Sequence, residues 1–330
     1  MIQHVTDPVD RQLLDNWQRG FPVTARPFAE IAQPLGLPEG DVIARLRHMQ
    51  AGGRITRVGG TVAPGTISAS TLATIATPEH RIEEVAACID AEPGVNHNYL
   101  REDHWNLWFV ATGPDQIHVQ ATLDRISHAT GLRVLDLPLL RPFNIDLGFR
   151  MASEDRAVPT ARRIDLRALQ PGDRVLLQRL SSGLPLTAQP YHDLAASLGR
   201  DADEIMGRII ALCDAGILSR LGVIVRHRAL GWTSNAMVVW QVPEGRMDKA
   251  GPALAGVPGV TLCYERRPVH EVWPYSLYSM IHARSRPEAR AVLARAAALP
   301  VLRGVAHKVL FSTRCFKQTG ALIKLKEAAA

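Results

Sequence analysis

The first fifty residues carry apolar positions at helical spacing, interrupted by short turns. The segment VDRQLLDNWQRG puts its apolar residues on one face of a helix, and Thr24 can cap a second helix that runs to Leu35. A tight Gly-Leu-Pro break precedes a third helix over 41–50, which two glycines end. Helix, helix, short turn, helix is the pattern of a winged helix-turn-helix.

The pattern then changes to alternating strands and helices. Period-two hydrophobicity predicts four strands, TLATIATP, GVNHNYLR, WNLWFVATG and LRVLDLPLL. Helical periodicity predicts two helices among them, HRIEEVAACIDA and DQIHVQATLDRISHAT. The resulting order, βαββαβ, predicts a ferredoxin-like domain whose helices cover one face of the sheet and leave the other free to pack or bind.

The whole unit occurs twice in the chain. At a constant offset of 163, residues 10–59 match residues 173–222 without gaps, and the similarity continues downstream with small gaps. The sequence therefore predicts an α+β protein made by tandem duplication, a fused dimer with a pseudo-two-fold axis. The predicted divisions are helix-turn-helix domains at 1–66 and 167–232, ferredoxin-like domains at 67–146 and 233–330, and a linker at 147–166.

Charge and composition narrow the class of partner. The 330 residues carry a net charge of +6, mostly from arginine, which indicates an anionic partner, either a nucleic acid or a polyacidic small molecule. The four cysteines form no C-x-x-C pair, so neither a cysteine zinc site nor a redox motif is predicted. The start resembles no secretory signal and no apolar run is long enough to span a bilayer, which predicts a cytoplasmic protein with no membrane partner.

Aromatic residues make up 5% of the chain, and eight of them fall in the two windows 97–109 and 264–278. Alternation along a strand puts His97, Tyr99 and Arg101 on one face, and copy two repeats the Tyr-x-Arg pattern. If the two sheets face each other, both patterns converge on one cavity. Aromatic walls with guanidinium groups and imidazoles suit a large, flat, anionic ligand such as a carboxylated porphyrin, whose iron a histidine could ligate.

Packing in the protein core is the alternative explanation for the aromatic residues and arginines of both windows. Strands favour aromatic residues in any case. The arginines could equally pair with neighbouring acids, which are Glu102, Asp103, Glu265 and Glu271. The recurrence of Tyr-x-Arg in both copies favours a binding site over packing alone.

A helix-turn-helix followed by a ferredoxin-like domain resembles the Lrp/AsnC regulators, which dimerise through the second domain. A sequence-specific DNA-binding protein needs polar or basic residues at the N-terminus of its recognition helix. That start carries Asp41 in copy one and Asp201, Asp203 and Glu204 in copy two, all of which repel phosphates. We interpret the module as a scaffold that does not bind DNA. A DNA-binding regulator that senses a small molecule is the alternative function.

Two longer motifs resemble the siroheme decarboxylases of haem d1 biosynthesis, VNHNYLREDHWNLWFVATG in copy one and GVTLCYERRPVHEVWPYSLYSMIHA in copy two. The resemblance covers nearly the whole chain. It implies a carboxy-lyase that removes CO2 from the C12 and C18 acetate arms of siroheme to give 12,18-didecarboxysiroheme, with no separate cofactor because the iron arrives with the substrate. The implied partners are siroheme, related tetrapyrroles and other enzymes of the pathway; further dimerisation of the fused chain is left open.

This chemistry assigns candidate roles. Decarboxylation of an acetate arm needs a proton donor, commonly a histidine near neutral pH, and guanidinium groups that hold the carboxylates. The predicted catalytic residues are His97, Tyr99, Arg101, His104 and His270. The predicted substrate-binding residues are Arg57, Trp105, Trp108, Arg226, Arg228, Tyr264, Arg266, Arg267, Trp273 and Tyr275. We predict no intrinsic metal site; His97 or His104 is the candidate ligand of the siroheme iron, and His282 is interpreted as structural.

The two copies differ where this chemistry is expected. Leu262 replaces His97 in copy two, and the hairpin after Arg266 is five residues longer than the one after Arg101. His270 lies in that insertion and therefore has no counterpart in copy one. We predict one productive site per chain, built by both copies.

Overall fold

The computed structural model describes residues 7–145 and 164–324. The predicted linker at 147–166 lies outside the described residues up to position 163. Copy one consists of α1 (Pro8–Asn16), α2 (Pro27–Leu35), α3 (Glu39–Ala51), β1 (Ile55–Val62), β2 (Ala69–Ile75), α4 (Ile82–Ala91), β3 (Val95–Arg101), β4 (Leu107–Gly113), α5 (Gln116–Thr130) and β5 (Val134–Ile145).

Copy two repeats the same order of elements. It consists of α6 (Asp173–Ser182), α7 (Pro190–Leu198), α8 (Ala202–Asp214), β6 (Leu218–Val225), β7 (Ser234–Trp240), α9 (Met247–Ala255), β8 (Val260–Arg266), β9 (Leu277–Ala283), α10 (Arg286–Ala297) and β10 (His307–Gln318). The predicted duplication of a helix-turn-helix and a βαββαβ domain is confirmed. Among the described residues, no helix is both long and apolar enough to cross a membrane.

The two helix-turn-helix modules form one body. Their wings, β1 and β6, pair antiparallel with Gly59 opposite Gly222, and apolar residues of both copies share one core. A side chain at Gly222 would collide with the backbone of Trp17 and Gln18, so this close approach requires glycine. Each wing strand therefore pairs with the other copy's wing.

The third helix of each module is tied to its first helix by an ion pair. Arg45 donates to Asp10 at 2.8 Å in copy one, and Arg208 donates to Asp173 at 2.7 Å in copy two. Asp173 is almost completely buried, so its charge depends on this partner. Arg45 of α3 and Arg208 of α8, the helices at the recognition position, thus stabilise the fold.

The two ferredoxin-like sheets join edge to edge and close into an eight-stranded barrel. The strand order is β10-β3-β4-β2-β5-β8-β9-β7, and the two seams between the copies are β10–β3 and β5–β8. Alternate side chains of both copies fill the interior, while the others pack beneath the helices in a separate core for each copy. The two sheets enclose one space, but packed side chains of both copies fill most of it, so the two Tyr-x-Arg patterns do not converge on one open cavity.

Candidate functional site

Aromatic side chains fill the barrel interior. Trp108 and Trp273 are each 1% exposed, with ring centroids 5.3 Å apart, and Trp273 Nε1 donates to the Tyr278 hydroxyl at 2.7 Å. Trp105 and Tyr275 pack against the same cluster. The structure thus places these four predicted substrate-binding residues, Trp105, Trp108, Trp273 and Tyr275, in or against the packed core.

The two arginines of the Tyr-x-Arg patterns bridge the seams between the copies. Arg101 Nη1 donates to the Leu310 carbonyl at 3.1 Å, and Arg266 Nη1 donates to the Leu137 carbonyl at 2.7 Å. Burial lowers the pKa of Arg101 to about 10. Both guanidinium groups also lie near the tyrosine of their own pattern, 5.7 Å from the Tyr99 ring centroid and 4.6 Å from that of Tyr264.

The alternative pairing of these arginines with neighbouring acids is wrong, because Arg101 and Arg266 donate to backbone carbonyls and three of the four acids, all but Glu271, have other partners. Glu102 pairs with Arg286, Asp103 with Lys308 and Glu265 with Arg141. Each of those partners lies on another element, so the acids stabilise packing of the hairpins and edges instead.

A cavity of about 370 Å³ lies beside β10, between the barrel and the end of α3. Copy one lines it with Gly52, Gly53 and Tyr99. Copy two lines it with the loop 226–229, Asn235, His282, Cys315, Phe316 and Gln318. Both copies therefore build one cavity, and its lining combines a phenol, a thiol, an amide, imidazoles and guanidinium groups.

Tyr99 is fixed from the neighbouring strand. The pairing of β10 with β3 sets Cys315 opposite Tyr99, and both side chains line the cavity. Burial raises the pKa of Tyr99 well above its usual value, so the residue is a neutral phenol at physiological pH. A neutral phenol is able to donate a proton.

His97 lies behind Tyr99, with the two rings stacked at a centroid distance of 6.2 Å. Burial, reinforced by the nearby Arg57 guanidinium, lowers the pKa of His97 to about 4. Burial also lowers the pKa of Arg57, whose Nε has no hydrogen-bond partner among the described residues. His97 is thus neutral at pH 7, which makes it a poor general acid in this environment.

Two further histidines line the cavity side by side. The ring centroids of His227 and His282 are 5.2 Å apart, and His282 Nδ1 lies 2.8 Å from the Thr261 hydroxyl. That hydroxyl donates to the Met280 carbonyl, so it accepts from His282 Nδ1–H. This tautomer leaves the lone pair on Nε2, the form in which an imidazole binds iron.

The loop after β6 brings two guanidinium groups to the cavity. Arg228 is held by the carbonyls of Ser312 and Thr313, at 3.1 and 3.3 Å. Arg226 is exposed and pairs with no carboxylate among the described residues. Opposite them, Asn235 is 7% exposed, and its buried Oδ1 has no hydrogen-bond partner in the described part of the chain.

The remaining predicted residues lie elsewhere. His104 sits on the exposed β3–β4 loop, while Arg267 and His270 sit on the exposed β8–β9 loop. Of the described residues, those lining the cavity include neither His104 nor His270. Within the same ranges, no group of three or more acidic, histidine or cysteine side chains could hold a metal ion.

Sequence reasoning missed the polar lining residues His227, Asn235, Cys315 and Gln318, and it interpreted His282 as structural. One signal could have found part of this set. At the offset of the repeat, Arg-His-Arg at 226–228 faces Ala-Pro-Gly at 63–65, so the copies diverge at this loop although they match up to position 222.

Comparisons with known proteins agree with this architecture. The family model described as the AsnC-like ligand binding domain matches residues 67–144 and 229–317, and that of the siroheme decarboxylase NirDL-like HTH domain matches 10–55 and 173–218. The siroheme decarboxylase NirDL subunit of Paracoccus denitrificans is 55% identical over 96% of this chain and 98% of its own length. The siroheme decarboxylase NirD subunit of Stutzerimonas stutzeri is 50% identical over 43% of this chain and 94% of its own length.

A solved structure shares the fold over nearly the whole chain. The siroheme decarboxylase NirDL crystallised with an iron-uroporphyrin III analogue superposes with a TM-score of 0.65 at 24% identity, over 95% of this chain and 92% of that one. Both family models match twice, in the order of the duplicated domains. The chain therefore belongs to the siroheme decarboxylase NirDL family, in its fused two-subunit form.

Proposed function

We propose that this protein is a carboxy-lyase that converts siroheme to 12,18-didecarboxysiroheme. Membership of the family and the name of the Paracoccus relative support this activity. The iron-uroporphyrin III analogue in the related crystal structure supports an iron tetrapyrrole as ligand. The observation that carries the proposal is the cavity that joins the neutral phenol of Tyr99 to the guanidinium groups of Arg226 and Arg228.

The reaction needs charge neutralisation, exclusion of water and one proton. The bond between the arm's methylene carbon and its carboxylate breaks, CO2 leaves, and the electron pair delocalises into the macrocycle. A proton then forms the new C–H bond and leaves a methyl group. The substrate supplies the electron sink and the iron, so we propose no further cofactor.

Tyr99 is the proton donor in this scheme. Its hydroxyl is protonated at physiological pH, and the pairing of β3 with β10 holds the residue at the wall of the cavity. Arg226 binds a carboxylate arm, since charge-assisted hydrogen bonds to guanidinium groups are short and directional. Arg228, whose Nη1 and Nη2 donate to the carbonyls of Ser312 and Thr313, adds positive charge beside it. Arg101 and Arg266, whose fork nitrogens bond backbone carbonyls, hold the barrel seams beside the cavity.

His282 is the candidate ligand of the substrate's iron in this proposal. It lines the cavity, and its hydrogen bond with Thr261 fixes the tautomer that an iron ligand needs. His97 contributes by packing against the Tyr99 ring rather than by proton transfer, because its pKa lies near 4. This assignment departs from the sequence-based roles of His97 and His104.

The contacts of the helix-turn-helix modules argue against the regulator alternative. Arg45 and Arg208, which a recognition helix would turn toward phosphates, are paired with Asp10 and Asp173. Asp201 caps α8 by accepting from the Asp203 and Glu204 amides, so the start of this helix is acidic. These features support a scaffold role.

Two measurements test the proposal on the intact chain. Titration with iron uroporphyrin III is expected to shift the Soret band at micromolar ligand, and incubation with siroheme is expected to release CO2 and yield a product lighter by the mass of two CO2 molecules. Absence of both the spectral shift and the mass change would overturn the proposal.

A further inference from the structure

Each residue of the cavity lining has a counterpart in the other copy, because the strands repeat in the same order. Cys315 faces Tyr99 across one seam, and Pro142 faces Tyr264 across the other. Asn235 pairs with His282 in copy two, and in copy one Ser70 pairs with Thr112. The duplicated fold therefore provides two equivalent positions for a site.

Only one of these positions carries the polar groups. The loop 226–228 reads Arg-His-Arg, whereas its counterpart at 63–65 reads Ala-Pro-Gly. His97 is matched by Leu262, His282 by Thr112 and Cys315 by Pro142. Among the described residues, the second position thus retains its tyrosine but none of these imidazoles, nor the guanidinium groups of the loop.

The retained tyrosine is also packed differently. Tyr264 is 9% exposed, with the Arg266 guanidinium 4.6 Å from its ring centroid and the Tyr278 ring stacked at 6.1 Å. It belongs to the core cluster of the barrel, whereas Tyr99 lines the cavity. Its environment is therefore that of a core residue.

We propose that the chain holds one tetrapyrrole site and that both acetate arms lose CO2 there, one after the other. Between the two steps the macrocycle leaves the site, flips over and binds again. This inference rests on the proposed function. The C12 and C18 arms lie on neighbouring pyrrole rings, and they exchange places when the macrocycle rotates by half a turn about the line through C5 and C15. One fixed proton donor can therefore serve both arms.

The macrocycle has to flip between the two steps because the proton donor cannot move. Tyr99 is held within a strand by the backbone ladders of β10 and β4. The hydroxyl cannot travel from one pyrrole ring to the next, so the substrate has to move instead. A pair of sites matching the pseudo-two-fold axis would avoid this movement, but the second position lacks the groups that it would need.

A matched pair of variants separates one site from two. Asn235→Ala alters the cavity, and Ser70→Ala alters the counterpart position. With one site, Asn235→Ala slows the appearance of both the monodecarboxylated and the didecarboxylated product by at least tenfold, and Ser70→Ala follows the wild-type time course by mass spectrometry. Accumulation of two different monodecarboxylated isomers, one per variant, would overturn the proposal.

Asn235→Ser, which installs the counterpart's own residue, repeats the test with a smaller change in volume. Thermal unfolding of each variant checks that the fold is kept. Titration of the wild type with iron uroporphyrin III adds an independent count: one ligand per chain is expected, and two per chain would contradict the single site while leaving the proposed function standing. No binding at all would remove the proposed function itself.

A pulse-chase experiment tests whether the macrocycle leaves the cavity between the two decarboxylations. Isotopically labelled siroheme is chased with excess unlabelled siroheme when the monodecarboxylated species is at its maximum. If the intermediate is released between the steps, the labelled intermediate accumulates in solution. Its conversion to the final product then falls in proportion to its dilution by unlabelled siroheme. Undiminished conversion of the label would show that the macrocycle does not leave between the steps.

Discussion

Tyr99 and Cys315 lie opposite each other across the seam where β3 of copy one pairs with β10 of copy two, and both side chains line the cavity. The contact exists only because the duplicated domains close one barrel, since neither copy supplies both strands. In the second seam the position of Cys315 is taken by Pro142, which offers no side-chain hydrogen bond. The copies thus keep the tyrosine that we assign to proton transfer in one of them and diverge at the residue opposite it.

The first prediction concerns the Tyr99 hydroxyl. Tyr99→Phe removes the proton donor but keeps the ring, so turnover should fall by about 10²–10⁴-fold, the range typical for general acids. The dissociation constant for iron uroporphyrin III should stay near that of the wild type, because the guanidinium contacts are intact. Single-turnover decarboxylation and a Soret titration measure the two quantities separately. Wild-type turnover in this variant would exclude Tyr99 as donor.

Cys315→Ala tests whether the thiol positions that hydroxyl. We expect kcat to fall several-fold while KM changes little, since the partner of Tyr99 is lost but no substrate contact is removed. Cys315→Ser, which keeps a hydrogen-bonding group, should restore most of the rate. Equal activity of all three proteins would show that the hydroxyl needs no partner on β10.

The pKa of His97 predicts an acid-dependent loss of stability. The folded pKa is near 4, whereas an unfolded histidine titrates near 6.5, so the unfolded state binds the extra proton as the pH falls between these values. The free energy of unfolding therefore decreases as the pH falls below 6.5, and the total loss reaches about 3 kcal/mol at pH 4. Above pH 6.5 this histidine contributes no pH dependence.

His97→Leu, which installs the residue of copy two, removes this titration. Urea unfolding of both proteins between pH 4 and 7 measures the effect as the difference between their slopes. Parallel slopes would mean that His97 titrates normally in the folded protein. Leu262→Ala is the matched control at the equivalent position, and its slope should follow that of the wild type.

The arginines of the cavity and of the seams should behave differently. Arg226→Ala removes one charge-assisted hydrogen bond, worth roughly 1.5–3 kcal/mol, so affinity for iron uroporphyrin III should fall by about 10- to 150-fold. Arg101→Ala instead leaves the Leu310 carbonyl without its donor, so we expect a lower Tm. Arg303→Ala, on an exposed segment, controls for the loss of charge alone. Equal loss of affinity in Arg226→Ala and Arg303→Ala would contradict a specific contact.

The sequence predicts most of the architecture because duplication and periodicity are local signals. It also places Tyr99 and Tyr264 correctly on the inner face of the barrel, since side chains alternate along a strand. The hydrogen-bond acceptor of Arg101 could not be predicted from strand alternation. Its acceptor, Leu310, lies on a strand more than two hundred positions away, and only the register of the seam brings the two together.

The site was harder to predict than the fold for the same reason. The resemblance drew attention to His104, but the β3–β4 loop carries that side chain into solvent. His282 looked structural because it ends a strand, yet β9 delivers it to the cavity next to the loop after β6. The loop that diverges between two otherwise matching copies is a local signal that indicates this part of the site.

DNA binding provides a separate test of the alternative function. Promoter fragments should show no operator-selective retardation at physiological salt, because the basic side chains of α3 and α8 are paired internally and the wings pair with each other. Any weak binding at low salt should disappear as salt rises, as expected for non-specific contacts. Selective retardation of one promoter at physiological salt would favour the regulator.

The last prediction distinguishes the roles of the histidines by spectroscopy. If His282 ligates the substrate's iron, His282→Thr, which installs the counterpart of copy one, should move the Soret band of bound iron uroporphyrin III and lower turnover together. His97→Leu should leave the Soret band in place, because His97 lies behind Tyr99 and its ring does not line the cavity. The tautomer of His282 is set by Thr261, so Thr261→Val should shift the same band by a smaller amount. An unchanged spectrum in His282→Thr together with a shifted one in His97→Leu would reverse the assignment, since an axial ligand cannot be lost without altering the electronic spectrum of the iron.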